Sequence, residues 1–378
     1  MTIKPLPLSK RFEFYDIRGT LKSYPDAYYY VVFGERSNGK TYSALDYALE
    51  RRAKTGEQFA YIRRWGEDIR RKNLSTLFDG HIKNGRVAEL TGGEFSSLNY
   101  TSNKFYLERY NEDGTKTTAE SPAGFAFDLN SMEHYKSTSF PGVTTIIFDE
   151  FMSRNGYLPN EWVLFMNALS TIIRHRNNVK IIMLGNTVNK YCPYFTEMGL
   201  EHIGEQKPGT IELYHYGGSG LQVVCEYTPS SAQRGGKESD VYFAFDNPEL
   251  QMITGGAWEI AIYPHLNVKI RPADVVQEFF VIFNGETLHG QVVVNDAGDF
   301  VFLHRKTTPI KDENEDIVYT TVPDERANFR MCLTKRSDPL SRYIMKQLRE
   351  GNIFYSTNEV GEVFRNYVIW SDGYSIKN

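Results

Sequence analysis

A glycine-rich turn early in the chain has the residue types and the spacing that phosphate binding requires. Gly34-Glu-Arg-Ser-Asn-Gly-Lys-Thr41 matches the pattern GxxxxGK[ST]. In such a turn, consecutive backbone N–H groups and the N-terminus of the following helix attract phosphate oxygens. We expect Lys40 to neutralise the β- and γ-phosphates of ATP, and the Thr41 hydroxyl to coordinate Mg²⁺. The predicted nucleotide-binding residues are Gly34, Glu35, Arg36, Ser37, Asn38, Gly39, Lys40 and Thr41.

The context of this turn distinguishes it from a chance run of glycines. An apolar run, Tyr28–Phe33, precedes it, and a segment of helical character follows from about Lys40 to Arg52. A strand, a loop and a helix in that order are what the motif requires. Asn38 stands where glycine is common, and we expect it to be tolerated because asparagine adopts left-handed backbone more readily than most residues do.

Two adjacent acids follow another apolar run, Thr144–Phe148. We expect Asp149 to bind Mg²⁺ through water, as the acid that ends a Walker B strand does, and Glu150 to polarise the attacking water. An acid directly after the Walker B acid indicates the additional-strand, catalytic-glutamate division of P-loop NTPases. The alternative is an ordinary acidic strand end, which would not account for a phosphate loop earlier in the same domain.

The next apolar strand ends at Asn186 and Thr187. Because the carboxyl ends of parallel strands share one edge of a sheet, Asn186 is expected beside the phosphate loop. There it would act as a sensor that hydrogen-bonds the γ-phosphate or the attacking water, and Thr187 could share that task. A plain strand-ending turn explains the same residues equally well.

Arg174 and Arg176 lie between the Walker B strand and the sensor strand. One of them could project into the nucleotide site of a neighbouring subunit, where such an arginine finger accelerates hydrolysis by about 10³- to 10⁵-fold. From the residues alone, a solvated helix C-terminus that favours cations is the preferred interpretation.

The segment from Arg51 to Lys72 holds eight Lys and Arg residues against three acids, with Trp65 among them. Basic residues interleaved with an aromatic ring suit contact with a phosphate backbone and base stacking. A solvated basic face is the alternative, and Arg63 or Arg64 could instead serve the nucleotide. The candidate DNA-binding residues are Arg63, Arg64, Arg70, Arg71 and Lys72.

Short apolar runs that alternate with helical segments predict an α/β domain with a mostly parallel sheet. Alternating residues between about Gly80 and Asp128 predict antiparallel strands added to that sheet. A Ser/Gly-rich stretch, Pro229–Ser239, predicts a linker. The expected organisation is a P-loop ATPase domain over residues 1–228, a linker over 229–257 and a smaller α+β domain over 258–378. The elements of the two domains are predicted at Gln58–Ile62, Lys104–Glu108, Asn160–Ile173, Val179–Leu184, Thr210–Tyr216, Leu221–Tyr227, Phe279–Phe283, His289–Val294, Phe300–His304 and Pro339–Glu350.

The composition excludes several other classes of protein. The 378 residues carry a net charge of -4 and are 41% hydrophobic, as in an ordinary globular protein rather than a disordered one. No apolar stretch reaches the roughly 18 residues that a membrane span needs. The three cysteines are far apart, which excludes a disulfide scaffold or a CxxC metal site and fits a reducing compartment.

Taken together, these motifs resemble the DNA-packaging ATPases of small podoviruses with short linear genomes. Beyond the phosphate loop, the resemblance is carried by strings that are more specific than generic Walker motifs, and it covers about Tyr28 to Phe195. These strings are Gly56-Glu-Gln-Phe-Ala-Tyr-Ile-Arg-Arg64, Thr145-Ile-Ile-Phe-Asp-Glu-Phe151, Leu158-Pro-Asn-Glu161, Arg174-His-Arg176, Leu184-Gly-Asn186 and Pro193-Tyr-Phe195.

The resemblance implies a homomeric ring, commonly a pentamer, that uses ATP and Mg²⁺ to move double-stranded DNA. It implies docking on a capsid portal, in some cases with a scaffold RNA, in the host cytoplasm. It also implies that Arg174 matches the trans-acting arginine, with Arg176 as the alternative. Finally, it implies a C-terminal domain of RNase H-like type that has lost nuclease activity.

Two departures from the family pattern bear on these expectations. Gly66 stands where the family has a DNA-gripping lysine, so Arg70, Arg71 or Lys72 would have to take that role. The predicted first strand of the second domain, Phe279–Phe283, holds no carboxylate, whereas a two-metal nuclease would need one there. We therefore expect this domain not to cut DNA. Its basic cluster would instead bind DNA, RNA or the portal, or be solvated: Arg326, Arg330, Lys335, Arg336, Arg342, Lys346 and Arg349.

Two other functions remain open from the sequence. One is a different ring ATPase, such as a helicase or a replication loader. The other is an ATP-gated DNA-binding scaffold, in which the nucleotide would order a surface rather than drive a cycle.

Overall fold

The computed structural model describes residues 14–135, 137–154, 156–187, 189–230, 262–266, 269–296, 298–310 and 315–374. The chain divides into two compact units. The first comprises Met1–Ser153, Glu161–Lys190 and Glu197–Trp258, and the second comprises Arg154–Asn160, Tyr191–Thr196 and Glu259–Asn378. Most of the predicted linker, and the predicted start of the second domain at Trp258, lie outside the described residues.

A ten-stranded sheet forms the centre of the first unit, in the order β3-β4-β6-β2-β7-β8-β1-β10-β9 with β5 paired to β4. Its strands are β1 (Tyr29–Gly34), β2 (Gln58–Arg63), β3 (Ser97–Thr101), β4 (Lys104–Tyr110), β5 (Lys116–Thr118), β6 (Gly124–Asp128), β7 (Val143–Asp149), β8 (Lys180–Asn186), β9 (Thr210–Tyr216) and β10 (Leu221–Tyr227). The strands from β6 through β10 in this order are parallel to one another. The predicted α/β fold with a mostly parallel sheet is therefore confirmed.

Burial explains why these strands are continuously apolar. Every residue of β7 and five of the six residues of β1 are buried. Parallel strands in the middle of a sheet are covered on both faces, so their side chains do not alternate between apolar and polar. The C-terminal ends of these strands then carry the first polar residues, at Asp149 and Asn186.

The helices include a long one directly after the glycine-rich turn, which continues one turn beyond the predicted end at Arg52. It stops at Gly56, whose φ is 74° and whose N–H bonds to the Arg52 carbonyl. No helix in the described part of the chain is long and apolar enough to cross a bilayer. The helices are α1 (Arg18–Ser23), α2 (Lys40–Thr55), α3 (Arg71–Leu74), α4 (Asp79–Lys83), α5 (Arg86–Leu90), α6 (Glu161–Ile173), α7 (Pro193–Glu197), α8 (Pro339–Glu350) and α9 (Asn358–Gly373).

The segment between Gly80 and Asp128 departs from its prediction in two places. Its first part forms α4 and α5 rather than strands, and β6 pairs parallel with β2. The β3–β4 and β4–β5 pairs are antiparallel, as expected. Strand β6 lies between β2 and β4, and it is parallel to β2 and antiparallel to β4.

The second unit contains a six-stranded sheet in the order β15-β14-β11-β12-β13-β16. Its strands are β11 (Val275–Phe283), β12 (Glu286–Asn295), β13 (Gly298–Arg305), β14 (Val318–Thr320), β15 (Phe329–Met331) and β16 (Ile353–Tyr355). The pairs β11–β12 and β12–β13 are antiparallel, whereas the pairs β11–β14, β14–β15 and β13–β16 are parallel. Side chains of α8 and α9, such as Ile344 and Phe364, join the apolar core of this unit with Phe279 and Val281.

Strands β11 and β12 in the second unit begin earlier than predicted, β12 at Glu286 instead of His289. Strand β11 begins at Val275 instead of Phe279 and therefore contains a carboxylate, Glu278. Gln277 and Glu278 interrupt the apolar pattern of this strand and are exposed, whereas Phe279, Phe280 and Val281 are buried. Because β11 contains Glu278, the predicted lack of a carboxylate in this strand no longer argues against nuclease activity. No cluster of three or more potential metal ligands occurs among the described residues.

Candidate nucleotide-binding site

The parallel pairing brings the chemically active residues to one edge of the sheet. Gly34 at the end of β1 is in register with Asn186 at the end of β8, and Asp149 at the end of β7 is in register with Leu184. The glycine-rich turn leaves β1 at this edge and enters α2. The edge outside the carboxyl ends of parallel strands is where α/β proteins bind ligands.

The turn itself has the irregular backbone of a phosphate loop. Gly34, Ser37 and Gly39 have φ values of 153°, 58° and 92°. Within this turn, Ser37 is the residue other than glycine that adopts left-handed backbone. The expectation that Asn38 would adopt that backbone was wrong. Asn38 is held by its side chain instead, because its Oδ1 accepts hydrogen bonds from the backbone and ammonium nitrogens of Lys40 at 3.3 and 3.1 Å.

Lys40 lies inside the loop, as predicted for the phosphate-neutralising lysine. Its ammonium group donates to the Glu35 carbonyl at 2.6 Å and to the Asn186 Oδ1 at 3.2 Å. The side chain is buried. The chain thus positions a cation where the phosphates of a bound nucleotide would need one, in contact with the end of β8.

Thr41 and Asp149 form the candidate metal site. The Thr41 hydroxyl donates to Asp149 Oδ1 at 3.0 Å, and Tyr61 donates to Asp149 Oδ2 at 2.8 Å. Burial raises the pKa of the Asp149 carboxyl, and nearby Arg63 and the Tyr61 hydroxyl offset part of that rise. A hydroxyl and a carboxylate side by side are a donor set that Mg²⁺ accepts, since this ion usually takes one or two protein oxygens and completes its shell with phosphates and water.

Glu150 lies next to this pair in a conformation that exposes its carboxylate. Its φ is 57°, in the left-handed region that residues other than glycine rarely adopt. Its Oε2 accepts a hydrogen bond from Arg63 at 2.7 Å, and the carboxylate is 59% exposed. The strained backbone turns this side chain away from the buried strand and towards the edge where a water could be activated.

Arg63 belongs to the same cluster. Burial would lower its pKa, but the interaction with Tyr61 and the charges of Glu150 and Asp149 outweigh that effect and raise it. One guanidinium nitrogen lies 3.9 Å from Asp149 and another 3.4 Å from Asp68. The structure therefore places Arg63 beside Asp149 and Glu150, and its role toward a nucleotide stays a prediction.

Arg64 cannot grip DNA in this arrangement, and that candidate assignment is corrected. It is 5% exposed, donates to Glu161 at 2.7 Å and also donates to the Phe151 carbonyl at 2.6 Å. The ion pair ties β2 to the start of α6. A buried cation paired in this way has a structural role, since its removal would leave Glu161 buried and uncompensated.

The other basic candidates of this segment are exposed. Arg70, Arg71 and Lys72 all lie at the surface, and Arg70 pairs with the exposed Glu67. Trp65 is 46% exposed. Gly66 is also exposed, and a side chain there would lie beside the carboxylate of Asp128 without a clash.

The two arginines after α6 have different environments. Arg176 donates to the carbonyls of Ile172 and Ile173 and to those of the segment Phe140–Val143, so it caps the end of the helix. Arg174 is exposed, has a φ of 54° and donates to the Thr138 carbonyl at 3.0 Å. Arg176 thus makes five bonds to local backbone carbonyls, whereas Arg174 is the more exposed of the two.

Two contributors to the site, Tyr61 and Thr228, were not singled out as site residues from the sequence. Tyr61 supports Asp149 from the middle of an apolar strand. Thr187, predicted above to share the sensor task, lies beside the loop and donates its N–H to the Gly34 carbonyl at 3.1 Å. Thr228 follows β10 and contacts the phosphate loop. Strand order brings both to the site, because β2 pairs with β7, which ends at Asp149, and β10 pairs with β1, which leads into the loop.

The basic cluster of the second unit is largely paired with acids. Four of its members face carboxylates, in the pairs Arg326–Asp324, Arg330–Asp338, Arg336–Asp338 and Lys346–Glu350. Arg342 and Arg349 are exposed on α8. Exposed pairs of this kind contribute little to stability.

Comparison with known proteins identifies relatives over most of the chain. The family described as "Podovirus DNA encapsidation protein (Gp16)" matches residues 11–203. The DNA packaging protein of Bacillus phage phi29 is 34% identical over 307 residues, which cover 80% of this chain and 81% of that one. The DNA packaging protein of Bacillus phage B103 is 34% identical over 172 residues, and this match covers 45% of this chain and 47% of the relative.

The fold has a counterpart among solved structures. A chain from the bacteriophage Phi-29 viral genome packaging motor assembly superposes with a TM-score of 0.53 at 23% identity. The superposition covers 94% of this chain and 99% of that one. At this identity, the likeness establishes a shared fold.

Proposed function

Because the chain belongs to the podovirus DNA encapsidation protein (Gp16) family, we propose that it is an ATP-driven ring motor that moves double-stranded viral DNA into a procapsid. The observation that carries this proposal is the convergence of Lys40, Thr41, Asp149 and Glu150 at one sheet edge. A DNA packaging protein that held only a passive surface would have no need of a hydrolytic glutamate next to a metal site.

In this proposal, ATP lies on the phosphate loop, with Lys40 at its β- and γ-phosphates. Thr41 and Asp149 hold Mg²⁺, which supplies charge neutralisation at the phosphates. Glu150 orients and polarises the attacking water, and Arg63 holds that carboxylate in place through their 2.7 Å hydrogen bond. Asn186, which contacts Lys40, reports the presence of the γ-phosphate to the end of β8.

The finger that completes the site is Arg174 of a neighbouring subunit in a homomeric ring, with a pentamer as the expected size. Arg174 is exposed, whereas Arg176 donates to five backbone carbonyls at the end of α6. Withdrawing Arg176 from those carbonyls would break all five of these hydrogen bonds. The geometry therefore favours Arg174 over Arg176 for the role in trans.

The DNA contacts are assigned to Arg70, Arg71 and Lys72. These three side chains are exposed, whereas Arg64 is buried and Arg63 is occupied by the acids of the nucleotide site. Contacts made through phosphates are independent of sequence and weaken steeply with salt. A packaging motor needs that property because it must move any sequence of the genome.

The second unit is proposed to be an RNase H-like domain without nuclease activity that docks on the capsid portal or on a scaffold RNA. Its three antiparallel strands flanked by parallel ones are compatible with such a fold. Domain boundaries near residues 228 and 258 remain part of this proposal.

The decisive experiment measures ATPase activity of the purified chain with double-stranded DNA, with and without portal-bearing capsids. The proposal expects hydrolysis that DNA stimulates and that capsids stimulate further, together with DNA protected from added nuclease inside the capsids. Strand separation of free DNA without any capsid would favour a helicase. ATP binding without turnover would favour a nucleotide-gated scaffold.

A further inference from the structure

A threonine that lies far along the chain from the glycine-rich turn contacts it directly. Thr228 comes immediately after β10, and its N–H donates to the Phe33 carbonyl at 2.9 Å, which extends the β1–β10 pairing by one residue. The side chain is 1% exposed. Its position is therefore fixed by the sheet and does not depend on the conformation of a surface loop.

The Thr228 hydroxyl fills the space that Gly34 leaves open. A Cβ atom built on Gly34 would lie only 2.1 Å from Thr228 Oγ1. Gly34 also has a φ of 153°. The first residue of the loop must consequently be glycine for two reasons, its backbone conformation and the hydroxyl packed against it.

The same hydroxyl holds the middle of the loop. Asn38 Nδ2 donates to Thr228 Oγ1 at 2.7 Å, and Asn38 is 2% exposed. Asn38 Oδ1 accepts from the ammonium and backbone nitrogens of Lys40. The orientation of the amide follows from chemistry, because Lys40 can only donate hydrogen bonds and must face the oxygen.

We propose that Thr228 is a positioning residue for the phosphate loop, acting through Asn38 on Lys40. Thr228 anchors the Asn38 amide on the rigid sheet, and the amide in turn holds the lysine that meets the phosphates. Holding binding groups in place before the ligand arrives reduces the entropy that binding would otherwise cost. This inference rests on the proposed nucleotide site and adds a contribution from β10 that the Walker motifs do not contain.

The test measures ATP affinity of the full chain by isothermal titration calorimetry, with the non-hydrolysed analogue ATPγS as the probe. Thr228→Val removes the hydroxyl at nearly constant volume, and we expect it to weaken binding about tenfold, or about 1.4 kcal/mol. Thr228→Ser keeps the hydroxyl and should bind within about twofold of the wild type. Thr210→Val is the matched control, since the exposed Thr210 hydroxyl of β9 bonds to the nearby Lys207 carbonyl.

A double-mutant cycle separates positioning from simple packing. If Thr228 acts through Asn38, the Asn38→Ala substitution also removes the contribution of Thr228. The double variant Thr228→Val/Asn38→Ala should then bind ATPγS no more weakly than Asn38→Ala alone. Additive losses would overturn the proposal, and so would wild-type affinity in Thr228→Val. If Thr228→Val fails to fold, Thr228→Ala tests the same bond with less crowding, and the same cycle is built on that variant.

The experiment also distinguishes failure of this inference from failure of the proposed function. If the wild-type chain does not bind ATPγS, the nucleotide site itself is wrong. If the wild type binds and Thr228→Val binds equally well, the nucleotide site stands and only the role of Thr228 is rejected.

Discussion

The hydroxyl of Thr41 donates a 3.0 Å hydrogen bond to the carboxylate of Asp149, which lies 108 residues further along the chain. This bond joins the start of α2 to the end of β7 and closes the candidate magnesium site. Parallel pairing through β8 makes the contact possible, since it places the ends of β1 and β7 on either side of one strand.

Glu150→Gln should retain ATP binding and lose hydrolysis by at least about 10²-fold, because an amide cannot take up a proton from water. Turnover is measured by phosphate release and binding by titration calorimetry. Glu112→Gln is the control, since Glu112 is an exposed loop residue. Undiminished turnover in Glu150→Gln would remove Glu150 from the catalytic role.

Tyr61→Phe should raise the Mg²⁺ concentration needed for half-maximal ATPase activity by about 10-fold, because the phenol orients Asp149 through its 2.8 Å bond. Tyr100→Phe serves as the comparison, because the Tyr100 hydroxyl donates to the Ile69 carbonyl. The role of Tyr61 is refuted if the two variants show the same Mg²⁺ dependence.

Arg174→Ala should reduce ATPase activity by about 10³-fold without changing the melting temperature, as expected of a finger that acts in trans. Mixing it with Lys40→Ala subunits should restore part of the activity, because some interfaces then pair an intact nucleotide site with an intact arginine. Absence of any recovery over a range of mixing ratios would contradict a trans finger.

Arg176→Ala should behave differently and lower the free energy of unfolding by about 2 kcal/mol, because it removes charged hydrogen bonds to the carbonyls that end α6. Chemical denaturation of both arginine variants provides the measurement. A stable Arg176→Ala chain that lacks activity would reverse the assignment of the two arginines.

Replacing Arg70, Arg71 and Lys72 by alanine should flatten the salt dependence of DNA binding. Each lost phosphate contact reduces the slope of log K against log salt by about 0.9. Affinity is measured at several salt concentrations with duplexes of unrelated sequence, and Lys22→Ala, at an exposed position in α1, is the control. An unchanged slope would exclude these residues from the DNA contact.

The stability of the first unit should fall as the pH is lowered below about 6.5, in part because of His81. Burial lowers the pKa of this histidine, and the opposing charge of Asp46 only partly restores it. Its ring stacks on Tyr42 at 3.9 Å, and its Nε2 lies 3.2 Å from the Tyr42 carbonyl. The unfolded chain therefore binds a proton that the folded chain resists, so the stabilisation is present above the ordinary pKa and is lost below it.

His81→Gln should flatten this part of the pH profile, whereas His175→Gln, at an exposed position, should leave it unchanged. Thermal unfolding between pH 7.5 and pH 5, in steps of about 0.5, provides the comparison. A profile that is identical in the wild type and His81→Gln would show that another group titrates.

The fold class followed from local patterns because parallel strands need continuous apolar runs and helices between them. The strands β9 and β10 and the helix α8 were predicted with their observed bounds, since turn residues mark both ends of each. The start of β11 was missed because the polar residues Gln277 and Glu278 interrupt its apolar pattern before Phe279. The direction of β6 was missed for a different reason, since pairing direction depends on the neighbours that a strand acquires.

The order of residues along the chain was sufficient to predict the phosphate loop, the acid pair Asp149–Glu150 and the α/β class, because each depends on contiguous residues whose chemistry acts locally. The burial of Arg64 against Glu161, the support of Asp149 by Tyr61 and the contact of Thr228 with Asn38 were decided only by the tertiary structure. Each of these contacts joins strands or helices far apart in the chain. Which of them meet depends on strand order, and strand order is settled by the packing of the whole sheet.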